Sequence, residues 1–155
     1  MKQQFYTLCI ALIASQASVS DGLSVAVGGF DISGDSIDTA VQLEYAPEQA
    51  WAGFRPHAGL FVTEQSTAYA YVGVAYPLPL GERWSLAPSI SAGYYHQGGG
   101  QDLGRNLQFY SQLQLRYRFS DTANLAVAVG HISNANLADE NPGANTAFLS
   151  YATRY

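Results

Sequence analysis

Between residues 106 and 119 the chain reads NLQFYSQLQLRYRF, and apolar and polar side chains alternate along it. Leu107, Phe109, Leu113, Leu115, Tyr117 and Phe119 share one parity, with Ser111 the exception. Asn106, Gln108, Tyr110, Gln112, Gln114, Arg116 and Arg118 hold the other. Successive side chains of a strand point to opposite faces, so the segment predicts one lipid-like wall and one polar, aqueous wall. Its length exceeds that of an ordinary strand and suits a strand that crosses a bilayer at a tilt.

The pattern recurs. Strands are predicted at 23–30, 37–46, 51–62, 68–77, 84–96, 106–119, 124–133 and 145–155. In the second, Ile37, Thr39, Val41, Leu43 and Tyr45 oppose Asp38, Gln42 and Glu44. In the fifth, Trp84, Leu86, Pro88, Ile90, Ala92 and Tyr94 oppose Ser85, Ser89, Ser91 and Gly93. Gly and Ala blur the first, third and fourth. The fold predicted is all-β, an eight-stranded antiparallel up-and-down transmembrane β-barrel, too narrow for an open pore. Such barrels keep both chain ends in the periplasm. Turns at 47–49, 78–82 and 120–122 are then periplasmic, and loops at 33–36, 63–66, 97–104 and 135–143 external. The last strand ends on an aromatic, Tyr155, which resembles the signal read by outer-membrane assembly machinery.

Composition alone leaves a soluble sandwich and a membrane barrel open, and the alternation decides for the barrel. Charged residues are only 12% of the chain, and Lys is absent after Lys2. Lys2, the apolar run at 5–14 and the small residues of SQASVS have the layout of a secretory signal, too short to span a membrane. The expected division is a signal peptide at 1–20 and an outer-membrane barrel at 21–155. The single cysteine, Cys9, lies in that signal without a lipobox, so the mature chain has no disulfide, thiolate nucleophile or Cys-based metal site. Six Arg face twelve Asp and Glu in the mature chain, a net charge of −6, which argues against a nucleic-acid partner.

The candidate chemistry lies in the seventh strand. Leu125, Val127, Val129, His131 and Ser133 share the outward face, and Ala126, Ala128 and Gly130 fill the other. His131 and Ser133 are therefore roughly 7 Å apart along the strand at its external end. A polar pair is costly in lipid unless it is hydrogen-bonded, and a serine becomes a competent nucleophile when an imidazole takes its proton.

Here the chain resembles the PagL-type lipid A 3-O-deacylases, known more broadly as acyloxyacyl hydrolases. The matching residues are HISNANL at 131–137 and NPG at 141–143. The resemblance implies that His131 is the general base and Ser133 the nucleophile of an esterase acting on lipid A in the outer membrane. It further implies that Asn134 helps hold the oxyanion. Enzymes of that family can carry a Glu two residues beyond the loop glycine, and here that place is Asn145. An Asn can orient a catalytic His without stabilising the imidazolium as a carboxylate does. Glu140 or Asp139, in the same loop, is the alternative acid.

Other polar residues receive blander readings. His57 and Arg55 are expected in a lumenal network with Glu44 and Arg116. His96 is expected to pack at the interface, and the Tyr and Trp residues near strand ends to form a girdle. Glycines 98–100 lack the Lys-Ser or Lys-Thr of a phosphate cradle. Asp102, Asp139 and Glu140 could touch a cation bridging lipopolysaccharide phosphates, but their spacing matches no metal loop. No cofactor is implied. A non-enzymatic barrel that binds lipopolysaccharide or an external partner is the rival reading, and a homodimer stays open.

Overall fold

The computed structural model describes residues 22–47 and 49–153. The expected signal peptide and Tyr155 lie outside them. Eight strands make the barrel: β1 (Gly22–Phe30), β2 (Asp38–Ala46), β3 (Arg55–Thr63), β4 (Ala68–Ala75), β5 (Trp84–His96), β6 (Leu107–Arg118), β7 (Ala123–Ser133) and β8 (Ala144–Thr153). Each pairs antiparallel with its sequence neighbour, and β1 pairs with β8, so no edge is left. Closure satisfies the backbone groups that lipid cannot.

Two local features depart from expectation. The third strand begins at Arg55 instead of residue 51, because Trp51 to Phe54 close a tight turn. Ala52 and Gly53 take φ of 52° and 85°, and Trp51 and Phe54 exchange backbone hydrogen bonds of 2.8 and 2.9 Å. Two left-handed residues in a row suit the twist of a hairpin. Residues 78–82, expected as turn alone, contain a two-residue strand, Leu78–Pro79, that pairs with Leu86 and Ser85.

The outer wall is apolar as the alternation requires. Val72 is 65% exposed, whereas its neighbour Tyr71 is 3% exposed. Leu43, Leu60, Ile90, Leu113, Val127 and Leu149 are likewise exposed. The inner wall departs from the expected aqueous face. Away from the termini it is filled by Phe30, Phe61, Tyr69, Tyr95, Tyr110 and Phe148, all buried. Rings of Phe30 and Phe61 lie 5.6 Å apart, Phe61 and Phe148 5.9 Å, and Tyr71 and Tyr110 5.6 Å. Each such pair adds about 0.5–1.5 kcal/mol beyond its buried area. Tyr69 and Tyr95, expected in a girdle from their places near strand ends, thus belong to a lumenal plug, and β4 turns Ala70, Val72 and Val74 outward and Tyr69 and Tyr71 inward. Their hydroxyls are paired: Tyr69 donates to Gln108 O at 2.9 Å and Tyr95 to Gln101 O at 2.6 Å, and Tyr110 shares a bond with Thr146 Oγ1 at 2.8 Å. Gly130 makes room for this plug, since a Cβ there would overlap the Tyr110 ring.

Nearer the termini the lumen is polar. His57 Nδ1 lies 3.2 Å from Glu44 Oε2 and His57 Nε2 2.9 Å from Ser91 Oγ. Tyr71 donates to Glu44 at 2.9 Å and receives Gln42. His57 and Glu44 therefore form the inner network expected of them. The space left beside Glu44, Arg55, Gln112 and Arg116 is only about 30 Å³, room for a water or two. The barrel is plugged across its middle.

Candidate active site

At the end of the barrel opposite the termini, β7 and β8 set His131 directly across from Asn145. Both face outward, and His131 Nδ1 lies 2.8 Å from Asn145 Oδ1. That distance joins an N–H donor to the amide oxygen when Nδ1 carries the proton, which leaves Nε2 as the basic nitrogen. The other side of the amide is engaged too: Asn145 Nδ2 donates to Ser33 Oγ at 2.7 Å. The backbone of Asn145 is tied to the same loop, since Ile32 N–H donates to its carbonyl at 3.1 Å.

The imidazole also packs on Gly143, which takes φ 66°. A Cβ on that residue would lie 2.6 Å from His131 Cε1 and 2.9 Å from Nε2. The β7–β8 ladder ends at Ile132 and Ala144, so the ring turns Nδ1 toward Asn145 and its Cε1–Nε2 edge toward Gly143. No hydrogen bond joins Ser133 to His131 among the described residues. Catalytic hydrogen bonds that are loose without substrate often tighten when it binds.

His131 and Asn145 lie on a divide. On one side is an open bowl of about 630 Å³ at the mouth, with Asp31, Asp35 and Asp38 on its wall. Burial, and then repulsion from Asp35, pushes the Asp31 carboxyl up from its ordinary value. On the other side is an outward groove of about 660 Å³, bounded by Pro88, Ser111, Leu113 and Val129. Ser111, the break in the apolar parity of β6, pairs with His131 and leaves that groove shallow in side chains.

Two residues expected at the chemistry have other engagements. Asn134 is fully buried. Its Nδ2 donates to Leu103 O at 3.0 Å and Glu140 O at 2.7 Å, and its backbone N–H to Asn141 Oδ1 at 3.0 Å. Its donors tie two loops together in this structure. The reason lies in position: Asn134 follows the last residue of β7, where strand parity no longer applies. Glu140 meets Asn134 through its carbonyl, and among the described residues no ion pair joins it or Asp139 to His131. Just beyond, Ala135 and Asn136 take φ of 53° and 59°, and Leu137 N–H closes the turn on Asn134 O at 3.1 Å.

His96 is exposed at the end of β5 with outward parity. Sequence reasoning missed Ser33 and the His131–Gly143 contact. The NPG motif carried a signal for the second, since a glycine at a loop exit marks left-handed backbone or a close approach. Ser33 carried none, because its partner is 112 positions away.

Comparisons with known proteins agree with this architecture. A family described as lipid A 3-O-deacylase (PagL) matches residues 36–154. A crystal structure of the outer membrane enzyme PagL superposes with a TM-score of 0.68 at 20% identity, covering 86% of this chain and 99% of that one. Neisserial surface protein A superposes at 0.58 with 8% identity, covering 86% and 95%. A de novo designed transmembrane β-barrel gives 0.57 at 13% identity, covering 88% and 97%. No curated protein matches the sequence at a significant level.

Proposed function

The chain belongs to the lipid A 3-O-deacylase (PagL) family of outer-membrane β-barrels, and from that premise we propose that it is a serine esterase acting at the external rim. It removes an ester-linked acyl chain from lipid A with Ser133 as nucleophile, His131 as base and Asn145 as orienter. The observation that carries this reading is the 2.8 Å contact of His131 Nδ1 with Asn145 Oδ1 on the outward face. It supports the tautomer with the proton on Nδ1, in which Nε2 is free to take a proton. The outward groove beside it supports an acyl chain approaching from the membrane, with the sugar headgroup above.

In this mechanism the Ser133 hydroxyl passes its proton to His131 Nε2 as Oγ bonds to the ester carbonyl carbon. The tetrahedral intermediate collapses with cleavage of the bond to the sugar oxygen, which takes the proton back from the imidazolium. A water then repeats the sequence on the acyl-enzyme and frees the fatty acid. The oxyanion needs donors aimed at it. With the Asn134 side chain bonded to two loops, the role falls in this reading to the backbone N–H groups of the Ala135–Asn136 turn that follows it. Asp139 and Glu140 have no role in the proton transfer, and no cofactor is needed.

The test uses the purified barrel in detergent with lipid A as substrate. The parent protein should release fatty acid, and Ser133→Ala and His131→Ala should abolish release while still folding. Activity retained in either variant would remove the mechanism. A parent protein that binds lipopolysaccharide without cleaving it would favour the binding-barrel reading.

A further inference from the structure

Cations in this barrel are sorted by end. Among the described residues, Arg55, Arg83, Arg116 and Arg118 line a vestibule at the end that carries the termini. Arg105, in the loop before β6, is the one Arg or Lys described at the opposite end. The bowl there carries Asp31, Asp35 and Asp38, which repel an anionic headgroup. Lipid A bears phosphate groups on its sugars, so a substrate seated at this rim has a single described cation to meet.

Arg105 is held in place. Gln108 is fully buried, and its Nε2 donates to the carbonyls of Arg105 at 2.6 Å and Leu103 at 3.2 Å. Arg105 Nη1 donates to Leu137 O at 2.8 Å, across to the loop that follows Ser133. No ion pair engages Arg105 among the described residues, although Asp102, Asp139 and Glu140 lie in its own and the facing loop. Its remaining N–H groups have no protein partner there. A planar guanidinium with open donors suits the oxygens of a phosphate.

Its place also suits the substrate. Leu107, the first residue of β6, faces outward, and Arg105 precedes it by two residues in the connecting loop. Phe109, four residues after Arg105, pairs with Ser133, so the two sites are within roughly 13 Å along the chain direction. Arg105 lies on the headgroup side of the nucleophile. Resting on the deacylase reading, we propose that Arg105 is a phosphate-binding residue that anchors the lipid A headgroup and favours phosphorylated substrates.

Binding is measured in the Ser133→Ala background, so that turnover does not intervene, with lipid A carrying its phosphates and with dephosphorylated lipid A. Arg105→Gln should weaken binding of the phosphorylated lipid by about tenfold, the worth of one hydrogen bond to a charged group. It should leave the dephosphorylated lipid unchanged, and Arg105→Lys, which keeps the charge without the planar fork, should fall between the parent and Arg105→Gln. With Ser133 restored, Arg105→Gln should raise KM for the phosphorylated substrate and leave kcat alone. An equal loss for both lipids would overturn the proposal, because it would mean that the Leu137 contact merely supports the loops. So would no loss for either, or phosphatidic acid competing as well as lipid A. A parent protein that cleaves neither lipid would defeat the deacylase reading, and the binding comparison would still decide the role of Arg105.

Discussion

An amide in the place of a carboxylate sets the character of the site. Asn145 presents an oxygen to His131 Nδ1 but no charge to balance the imidazolium that the proposed deprotonation of Ser133 would form. In a serine triad the corresponding acid-to-amide change can lower turnover by ~10⁴, part of it through the wrong tautomer. The tautomer is favourable here, so Asn145→Glu should raise kcat by roughly tenfold or more, and Glu140→Gln should change little. Collapse in Glu140→Gln with no gain in Asn145→Glu would mean that the external loop supplies the acid. Gly143 offers a second probe. A methyl group there meets the imidazole, and its left-handed backbone costs an L-residue roughly 1–2 kcal/mol. Gly143→Ala should lower kcat about 10²-fold, the cost of shifting a catalytic group by about 1 Å; unchanged kinetics would show that the ring has room to spare. The pairing of His131 with Asn145 was within reach of the sequence, because both carry outward parity at facing strand ends. Ser33 and the inward turn of Asn134 were not, since one depends on a loop far away in the chain and the other on a turn beyond the strand.

Strand identity was legible wherever large apolar and polar residues alternate, as in β2, β5 and β6. In β4 the alternation is Ala and Val against Tyr, and both sets count as apolar, so the sequence did not reveal which faced the lumen. The answer is steric. Inward tyrosines need inward glycines opposite them, and Gly130 beside Tyr110 is such a site. Gly130→Val should displace the ring, break the 2.8 Å contact of Tyr110 with Thr146 and lower the temperature at which the folded barrel loses its fast gel mobility. Val127→Ala, on the outer wall, should leave that temperature nearly unchanged. Equal shifts in both would contradict the plug as the source of rigidity. The turn at 51–54 escaped the sequence reading for a related reason: Trp51 and Phe54 look like strand residues, and Ala52 is a rare occupant of left-handed backbone.

The molecule as a whole is a closed, filled cylinder with acid at one mouth and arginine at the other. Its plugged lumen leaves no path for ions, so the barrel in a planar bilayer should show no steady conductance; a stable open channel would contradict the packing around Tyr69, Tyr110 and Phe148. If both termini face the periplasm, cysteines introduced at Gly99 and Asn141 should react with an impermeant thiol reagent on intact cells, and one at Gln49 should not. Labelling at Gln49 with protection of the loops would reverse the orientation and move His131 to the wrong leaflet. The most direct measurement of the central claim is mass spectrometry of lipid A from cells expressing the chain. The account predicts the loss of one ester-linked acyl chain, absent when Ser133 is replaced by Ala. Unchanged lipid A in both, or the same loss with Ser133→Ala, would contradict it.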